Sequence, residues 1–101
     1  MKRQYLRMIQ KMGKDGPKEW NVYILRCVDG TLYTGIAKDV EARFKKHVSG
    51  KGAAYTRIHP PLAVVYKEGD LTRSGALIRE AALKRLPKAK KEALSKNVQS
   101  L

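Results

Sequence analysis

The stretch Val22-Tyr-Ile-Leu-Arg-Cys-Val-Asp-Gly-Thr-Leu-Tyr-Thr-Gly35 decides the fold that this sequence predicts. It contains two runs rich in β-branched and aromatic residues, with Asp29-Gly30 between them. This pattern is typical of a β-hairpin. Each predicted strand carries one tyrosine, Tyr23 or Tyr33, and the register of the hairpin determines whether their rings share a face of the sheet.

The turn allows two registers. If Asp29-Gly30 is a two-residue turn, the tyrosines point to opposite faces, because side chains alternate along each strand. If Val28–Gly30 is a three-residue loop with a left-handed glycine, Tyr23 lies opposite Gly35 and both tyrosines share a face. We expect this second register, with a concavity beside the Tyr23 ring, because it also collects an apolar set on the other face. That set comprises Val22, Ile24, Leu32 and Ile36.

The composition predicts a polyanionic partner. The chain has 101 residues, which suits one compact domain, and its 22 lysines and arginines against 9 acidic residues give a formal net charge of +13. Such a balance attracts DNA, RNA or an anionic membrane surface. We expect the partner to be nucleic acid, with DNA as the first candidate, and the oligomeric state stays open.

Membrane and secreted proteins are not expected from this sequence. No apolar run approaches the roughly 18 residues of a spanning helix, and the start lacks the apolar segment and cleavage site of a secretory signal. The single cysteine, Cys27, allows no internal disulfide and no cysteine-based zinc site. We therefore expect a cytoplasmic protein with no membrane association and no disulfide-linked partner.

Residues 1–18 are predicted to form a basic N-terminal extension and linker, separate from a domain at residues 19–98. Apolar side chains in the extension recur at the spacing of one helix face, which predicts a short helix before a linker at Gly13–Pro17. This helix could dock on the domain, or the segment could be a frayed tail or a partner-binding arm. The apolar face comprises Tyr5, Met8, Ile9 and Met12.

Residues 19–98 predict an α+β domain, a three-stranded, mostly antiparallel sheet flanked by helices in the order ββαβαα. Asp39 is expected to cap the first helix, Thr72 or Ser74 to open the second, and Pro87 to separate the second from the third. The predicted strands are Trp20–Cys27, Thr31–Ile36 and Leu62–Tyr66, and the helices lie between Asp39 and Ser49, between Thr72 and Leu86, and from Pro87 to Asn97.

Two connections and one helix face complete the predicted domain. The segment between Gly50 and Pro61 is predicted to be a loop, and Glu68–Asp70 a turn. The second helix is expected to bury an apolar side. That side comprises Leu77, Ile78, Ala81, Ala82 and Leu86.

Several segments of the chain resemble one known family. Asn21-Val-Tyr23 and Tyr33-Thr-Gly35 resemble the two halves of the motif that names the GIY-YIG nuclease superfamily, and Arg43 follows at the family's distance. Gly50–Arg57 is similar to a loop of its small, stand-alone bacterial and archaeal members. The resemblance spans about Trp20–Leu94. It implies cleavage of phosphodiester bonds assisted by a divalent metal, Mg²⁺ or Mn²⁺.

Glu80 corresponds to the metal-binding carboxylate of this family. On sequence alone it would be a solvated acid that pairs with Lys84 one turn later. It nevertheless stands beside Leu77 and Leu83, at the margin of the predicted apolar side, where it could face a groove. A single carboxylate suits Mg²⁺, which keeps several waters and takes further ligands from the substrate phosphate. The resemblance therefore implies that Glu80 binds the metal.

Arg43 and His47 lie one turn apart on the helix that follows the hairpin. The family places an arginine here against the scissile phosphate, where its charge stabilises the transition state. His47 could donate to a phosphate or hold a water, or it could be a helix-surface histidine without a function.

The resemblance also implies that Tyr23 and Tyr33 are catalytic, whereas in an arbitrary hairpin both would simply pack on the sheet. A phenol has an ordinary pKa of about 10, and the charges of Arg43 and the metal are expected to lower it. We favour Tyr23 as the base that takes a proton from the attacking water, with Tyr33 orienting the water or the phosphate. The residues alone do not decide between the two tyrosines.

Supporting residues are expected around the four expected catalytic residues, Tyr23, Tyr33, Arg43 and Glu80. Gly35 leaves space beside Tyr23, and Tyr55 could contact the substrate backbone, stack on a base or pack on its own domain. The residues expected to contact nucleic acid directly are Lys38, Lys46, Lys51 and Arg57.

The chain departs from the family pattern in two places. Asn21 stands where the first motif has glycine. The later helix near Leu86–Leu94 lacks the asparagine that larger members carry, and Asn97 is too remote to assign to that position.

Two functional hypotheses remain. One hypothesis is a metal-dependent endonuclease that recognises the backbone or the structure of DNA. The other is a non-catalytic or weakly active basic DNA/RNA-binding module on the same fold. The four retained side chains favour the enzyme, and the missing asparagine favours the module.

Overall fold

A computed structural model describes residues 16–99 of the protein, with side chains described through residue 96. The predicted short N-terminal helix before Gly13, with its apolar face, therefore lies outside the described residues. Among residues 16–99, no helix combines the length and the hydropathy needed to cross a bilayer. The elements are β1 (Trp20–Cys27), β2 (Leu32–Ala37), α1 (Val40–Val48), α2 (Ala54–Ile58), β3 (Pro61–Leu71), α3 (Arg73–Lys84) and α4 (Lys88–Gln99).

The three strands form one antiparallel sheet in the order β2-β1-β3. The predicted α+β class and three-stranded sheet are confirmed, and the sheet is antiparallel at both pairs. Because β1 is the central strand and both of its faces are covered, the four consecutive residues Val22–Leu25 are all buried. The strand that carries Tyr23 is therefore held in the middle of the fold, and β2, which carries Tyr33, pairs with it at one edge.

The hairpin adopts the predicted three-residue loop. Tyr23 pairs with Gly35, and Gly30 has φ 84°, the left-handed conformation that this loop requires. Two backbone hydrogen bonds of 2.9 Å close the loop, from Cys27 N to Thr31 O and from Gly30 N to Cys27 O. The register therefore places both tyrosines on one face of the sheet.

Each face of the sheet carries its own apolar cluster. On the face opposite the tyrosines, Val22, Ile24 and Val65 pack with Leu83 of α3. On the tyrosine face, α1 covers the sheet. The cluster on the tyrosine face comprises Tyr23, Leu25, Ala37 and Val40, with Tyr33 and Phe44 partly buried against it. The sheet is thus packed between α1 on one side and α3 on the other.

The predicted helix boundaries depend on side-chain caps. The Asp39 carboxylate accepts a 3.0 Å hydrogen bond from Ala42 N at the start of α1. Thr72, one of the two predicted openings of α3, accepts a 3.0 Å bond from Gly75 N. The Pro87 carbonyl accepts from Lys90 N and Lys91 N at the start of α4, as expected for a proline at a helix start.

Two connections differ from the sequence prediction. The segment between Gly50 and Pro61 contains the short helix α2, so the order is ββααβαα rather than ββαβαα. The predicted turn at Glu68–Asp70 is wrong, since β3 runs through it to Leu71. The register between β1 and β3 shifts there, and Asp70 takes φ 58°. Pairing with the central strand thus extends β3, and the turn-forming residues are accommodated as a bulge.

The orientation of α3 also differs from the prediction. Leu77 and Ile78 are 41% and 52% exposed, and Ala81 and Ala82 are exposed as well. The buried side instead has Ala76 and Leu83, each 0% exposed, and only Leu86 of the expected set packs against the core. Packing against the sheet has overridden the apolar stripe, and the rotated helix leaves Glu80 only partly exposed.

This orientation gives a matched pair of stability tests on α3. Leu83→Ala should lower the free energy of unfolding by about 2–5 kcal/mol, because it leaves a cavity in the core. Leu77→Ala should cost less than about 1 kcal/mol, because the leucine is exposed. Urea unfolding followed by circular dichroism measures both. Equal costs for the two variants would contradict the helix orientation.

Candidate active site

The side chains that the sequence marked as catalytic come from four elements and meet beside the sheet. Tyr23 lies on β1, Tyr33 on β2, Arg43 and His47 on α1, and Glu80 on α3. The ring centroids of Tyr23 and Tyr33 are 6.4 Å apart, and the Tyr33 ring lies 5.2 Å from that of His47 in an edge-on arrangement. The rings of Tyr23, Tyr33 and His47, from three elements, thus form one cluster.

The Tyr23 ring fills the space opposite Gly35. Tyr23 is only 1% exposed. A Cβ added at Gly35 would lie 2.6 Å from the Tyr23 hydroxyl and 3.1 Å from the Tyr33 ring. The expected concavity beside Tyr23 is therefore wrong, since the phenol itself occupies it. Gly35 is needed because any side chain would displace Tyr23.

The Tyr23 hydroxyl is hydrogen-bonded to His47. The oxygen lies 2.9 Å from His47 Nε2, and His47 Nδ1 lies 2.7 Å from the Thr56 hydroxyl. Thr56 Oγ1 is also 2.9 Å from the Ala53 carbonyl oxygen. These contacts form a chain that runs from the sheet through α1 to α2.

His47 is 1% exposed, so it does not lie on the helix surface as one alternative had placed it. Burial, and then the charge of Arg43, lower the pKa of the imidazole below its ordinary 6.5. At neutral pH the ring is therefore uncharged and has one nitrogen that can accept a hydrogen bond.

Gly52 and Thr56 hold His47 from the loop side, and neither residue was predicted to take part in the site. A Cβ at Gly52 would lie 2.3 Å from His47 Nδ1 and 2.9 Å from its Cα. Thr56 is 1% exposed. Both fall within the Gly50–Arg57 segment that carried the family resemblance, but no local pattern in that segment indicates contact with a histidine on the preceding helix.

Burial dominates the electrostatics of the two phenols. It is the largest cause that raises the pKa of Tyr23 to about 12, and it also raises the pKa of Tyr33. Arg43 lowers both values and Glu80 raises both, so each charge lies close enough to act on the two rings. Arg43 acts in the expected direction, but in the protein without a bound metal desolvation outweighs its positive charge.

Glu80 has the environment of a carboxylate that can accept a cation. Its side chain is 19% exposed, and Lys84 approaches it at 3.6 Å, a loose contact with a lysine that is itself 56% exposed. Within residues 16–99, no three histidine, cysteine or acidic residues cluster as a metal site. One carboxylate fits Mg²⁺, which uses few protein ligands together with waters and substrate phosphate oxygens.

Tyr55 is part of a row of stacked rings. It stacks on Tyr33 at 5.7 Å and on His59 at 4.2 Å, and it remains 36% exposed. His59 Nδ1 pairs with the Asp29 carboxylate of the hairpin loop at 2.5 Å. Tyr55 thus packs on its own domain, and its partly open edge lies next to the catalytic cluster.

The four predicted nucleic-acid contacts are all exposed. Lys38 already pairs with Glu19 at 3.0 Å and lies 5.6 Å from the Trp20 ring. Its charge is therefore partly compensated. The others, Lys46, Lys51 and Arg57, belong to α1, α2 and the loop between them.

Asn21, which replaces the glycine of the first motif, has a structural role. Its Nδ2 donates to the carbonyl oxygens of Ala37 and Lys38, at 3.2 and 3.0 Å. These bonds tie the start of β1 to the end of β2, directly before the Asp39 cap of α1. The asparagine therefore fastens the connection from which α1 begins.

The pKa of His47 gives a pH test of the site. Folding favours the neutral ring, so the unfolded chain binds more protons below pH ~6.5, and the free energy of unfolding should fall as pH drops from about 7 to 5. An NMR titration should place the midpoint of the His47 ring below 6.5. A midpoint at or above that value would contradict the burial of the ring.

Comparison with known proteins identifies the family. The GIY-YIG catalytic domain matches residues 19–93. A UPF0213 protein of Staphylococcus aureus strain Mu3 is 51% identical over 75 residues, which cover 74% of this chain and 92% of that protein.

Two solved structures are also similar. The NMR structure of protein EF2693 from E. faecalis has a TM-score of 0.54 at 36% identity, covering 86% of this chain and 93% of that one. The NMR structure of the UPF0213 protein BH0048 from Bacillus halodurans has a TM-score of 0.48 at 44% identity, covering 76% and 82%. With three quarters of its length matched by that domain and this arrangement of side chains, the chain belongs to the GIY-YIG catalytic domain family.

Proposed function

We propose that the protein is a metal-dependent endonuclease that hydrolyses phosphodiester bonds in DNA and recognises the backbone or the structure of its substrate. The observation that carries this proposal is the buried hydrogen bond between Tyr23 and His47 beside the Tyr33 ring, with Arg43 and Glu80 near enough for their charges to act on both phenols. A module that only binds nucleic acid would need the basic residues, but it would not need an acid and two phenols at one point.

Arg43 and Glu80 act on the phosphate in this proposal. The Arg43 guanidinium binds the scissile phosphate and stabilises the negative charge that grows in the transition state. Glu80 holds a divalent cation, Mg²⁺ or Mn²⁺, which supplies Lewis-acid stabilisation of the leaving oxygen when it is bound.

Tyr23 transfers the proton of the attacking water. With a pKa of about 12, only about one Tyr23 in 10⁵ would be phenolate at pH 7. A pre-formed phenolate is therefore a poor base here, whereas a neutral phenol bonded to neutral His47 can relay a proton. Tyr23 Oη accepts the water proton as it passes its own proton to His47 Nε2. Tyr33, which is more accessible, orients the water or the phosphate.

Hydrolysis forms one bond to phosphorus and breaks another, and each proton that moves is accounted for. The water oxygen forms a bond to phosphorus as its O–H bond breaks, and the bond from phosphorus to the leaving oxygen breaks. The leaving oxygen takes a proton from solvent, and the His47 imidazolium returns its extra proton to solvent through Tyr23. Both protein groups are then restored to their starting state.

Exposed cations around the site hold the substrate in this proposal. Lys46, Lys51 and Arg57 can contact successive backbone phosphates, and such contacts carry no sequence information. The net charge of +13 adds a long-range attraction for DNA. We place the protein in the cytoplasm, where its single cysteine, Cys27, would stay reduced.

Cleavage assays test the catalytic proposal. Labelled single-stranded, duplex and flap DNA are incubated with the protein in Mg²⁺ or Mn²⁺. Glu80→Gln and Tyr23→Phe should each lower the cleavage rate by about 10²-fold or more, because they remove the metal ligand and the proton relay. The matched control is Glu41→Gln, since Glu41 is an exposed acid on α1 and should leave the rate unchanged.

Two outcomes of that assay would contradict the proposal. Equal rates for the Glu80→Gln variant and the unaltered protein would mean that the observed nuclease is a contaminant. DNA binding without cleavage by any form would mean that the protein is the basic binding module considered above.

The salt dependence of DNA affinity tests the binding surface. Lys46→Ala and Lys51→Ala should each reduce the slope of log K against log[salt] by about 0.9, because each removes one phosphate contact and its released counterion. Lys38→Ala should reduce it by less, because this lysine pairs with Glu19. Fluorescence anisotropy with labelled DNA measures the slopes. Equal reductions for all three variants would contradict the role assigned to the Lys38–Glu19 pair.

A further inference from the structure

The hydrogen bonds on the far side of His47 point to a role for a residue that no motif marks. We propose that Thr56 is a positioning residue that keeps a proton on His47 Nδ1, so that Nε2 is free to accept the proton of Tyr23. This inference rests on the proposed nuclease function, because it explains how the relay in that function acquires its direction.

The direction follows from the number of protons at Thr56. Its hydroxyl has one proton, and the Ala53 carbonyl, 2.9 Å away, can only accept. Thr56 therefore donates to Ala53 and must accept from His47 Nδ1, 2.7 Å away, which places a proton on Nδ1. A neutral imidazole has one N–H, so Nε2 is the acceptor, and the Tyr23 hydroxyl at 2.9 Å donates to it.

The opposite tautomer would disable the relay. If Nε2 carried the proton, it would donate to the Tyr23 oxygen, and the ring could not take a proton from the phenol. Thr56 would then have to donate to Nδ1 and release the Ala53 carbonyl. The observed contacts thus favour the tautomer in which His47 can act as a base.

The loop around Thr56 holds the ring in a single position. Thr56 and His47 are each 1% exposed, and Gly52 packs so tightly against the ring that a Cβ would lie 2.3 Å from Nδ1. The imidazolium that forms during turnover keeps its Nδ1–H bond to Thr56, so the same hydroxyl stabilises the charged product of the proton transfer. Thr56 acts through His47 and does not contact substrate.

The tautomer can be measured directly, without any activity. A long-range ¹H–¹⁵N NMR experiment on the unaltered protein at neutral pH distinguishes the protonated nitrogen of His47 from the bare one. We expect the proton on Nδ1. A proton on Nε2 overturns the inference, and this result is independent of whether the protein cleaves DNA.

Substitutions at Thr56 provide the second test. Thr56→Val removes the hydroxyl and should shift His47 toward the Nε2–H tautomer and lower kcat about 10- to 100-fold with little change in KM. Thr56→Ser keeps a hydroxyl and should restore both. The matched control is Thr34→Val on β2, the same change at a buried threonine whose Oγ1 has no hydrogen-bond partner among the described residues. It faces away from the site and should change neither readout.

The pH profile separates positioning from general loss of structure. Among the described residues, the titratable groups around His47 are Arg43 on its own helix and the phenols of Tyr23 and Tyr33. Both phenols have pKa values above 10, and the guanidinium contributes a constant charge. The acidic limb of kcat/KM should therefore report His47, and it should move to lower pH in Thr56→Val, because the imidazolium loses its acceptor.

The outcomes distinguish this inference from the proposed function. If the unaltered protein cleaves no DNA but carries the proton on Nδ1, the nuclease proposal fails and the assigned tautomer stands. If it cleaves DNA and Thr56→Val keeps the Nδ1–H tautomer and the rate of the unaltered protein, the role of Thr56 is overturned. If Thr56→Val does not fold, Thr56→Ser and the tautomer of the unaltered protein still decide the question.

Discussion

The packing of the Tyr23 ring against Gly35 is the constraint on which the rest of the site depends. With no side chain at Gly35, the phenol lies across the hairpin and its hydroxyl reaches His47 Nε2 at 2.9 Å. A shift of one residue in the hairpin register would place a different residue opposite Tyr23 and move every side chain of one strand to the other face. The left-handed Gly30, by closing a three-residue loop, therefore sets the register that aligns Tyr23 on β1 with Gly35 on β2.

Burial and charge act on this cluster in a consistent way. Desolvation keeps the two phenols protonated and His47 neutral, and Arg43 lowers the pKa of the histidine further. Neutral hydrogen-bond partners in a low-dielectric environment bind each other more strongly than in water, which keeps the relay ordered. The sequence argument had emphasised the charges of Arg43 and the metal as the groups that favour a phenolate. In the protein without a bound metal, burial is the larger influence on both phenols.

The sequence predictions are accurate where the interactions are local in the chain, and they fail where residues remote in sequence interact. The hairpin register, the Asp39 and Thr72 caps and the break at Pro87 are all encoded within a few residues, and all are confirmed. The turn predicted within β3 and the buried side predicted for α3 are wrong, because neighbours that are remote in sequence decide both. Pairing with β1 extends β3, and packing of Ala76 and Leu83 against the sheet sets the rotation of α3.

The sequence by itself determined the two strands of the hairpin, the loop that aligns the two tyrosines, and the spacing that places Arg43 and His47 on one side of a helix. These features depend on turn geometry and on side-chain periodicity, which act locally. Only the tertiary structure decided that His47 is buried, that Thr56 and Gly52 hold its ring, and that Glu80 approaches the phenols. These arrangements join residues as far apart as Tyr23 and His47 and arise from how helices pack on a sheet, which no short stretch of the chain encodes.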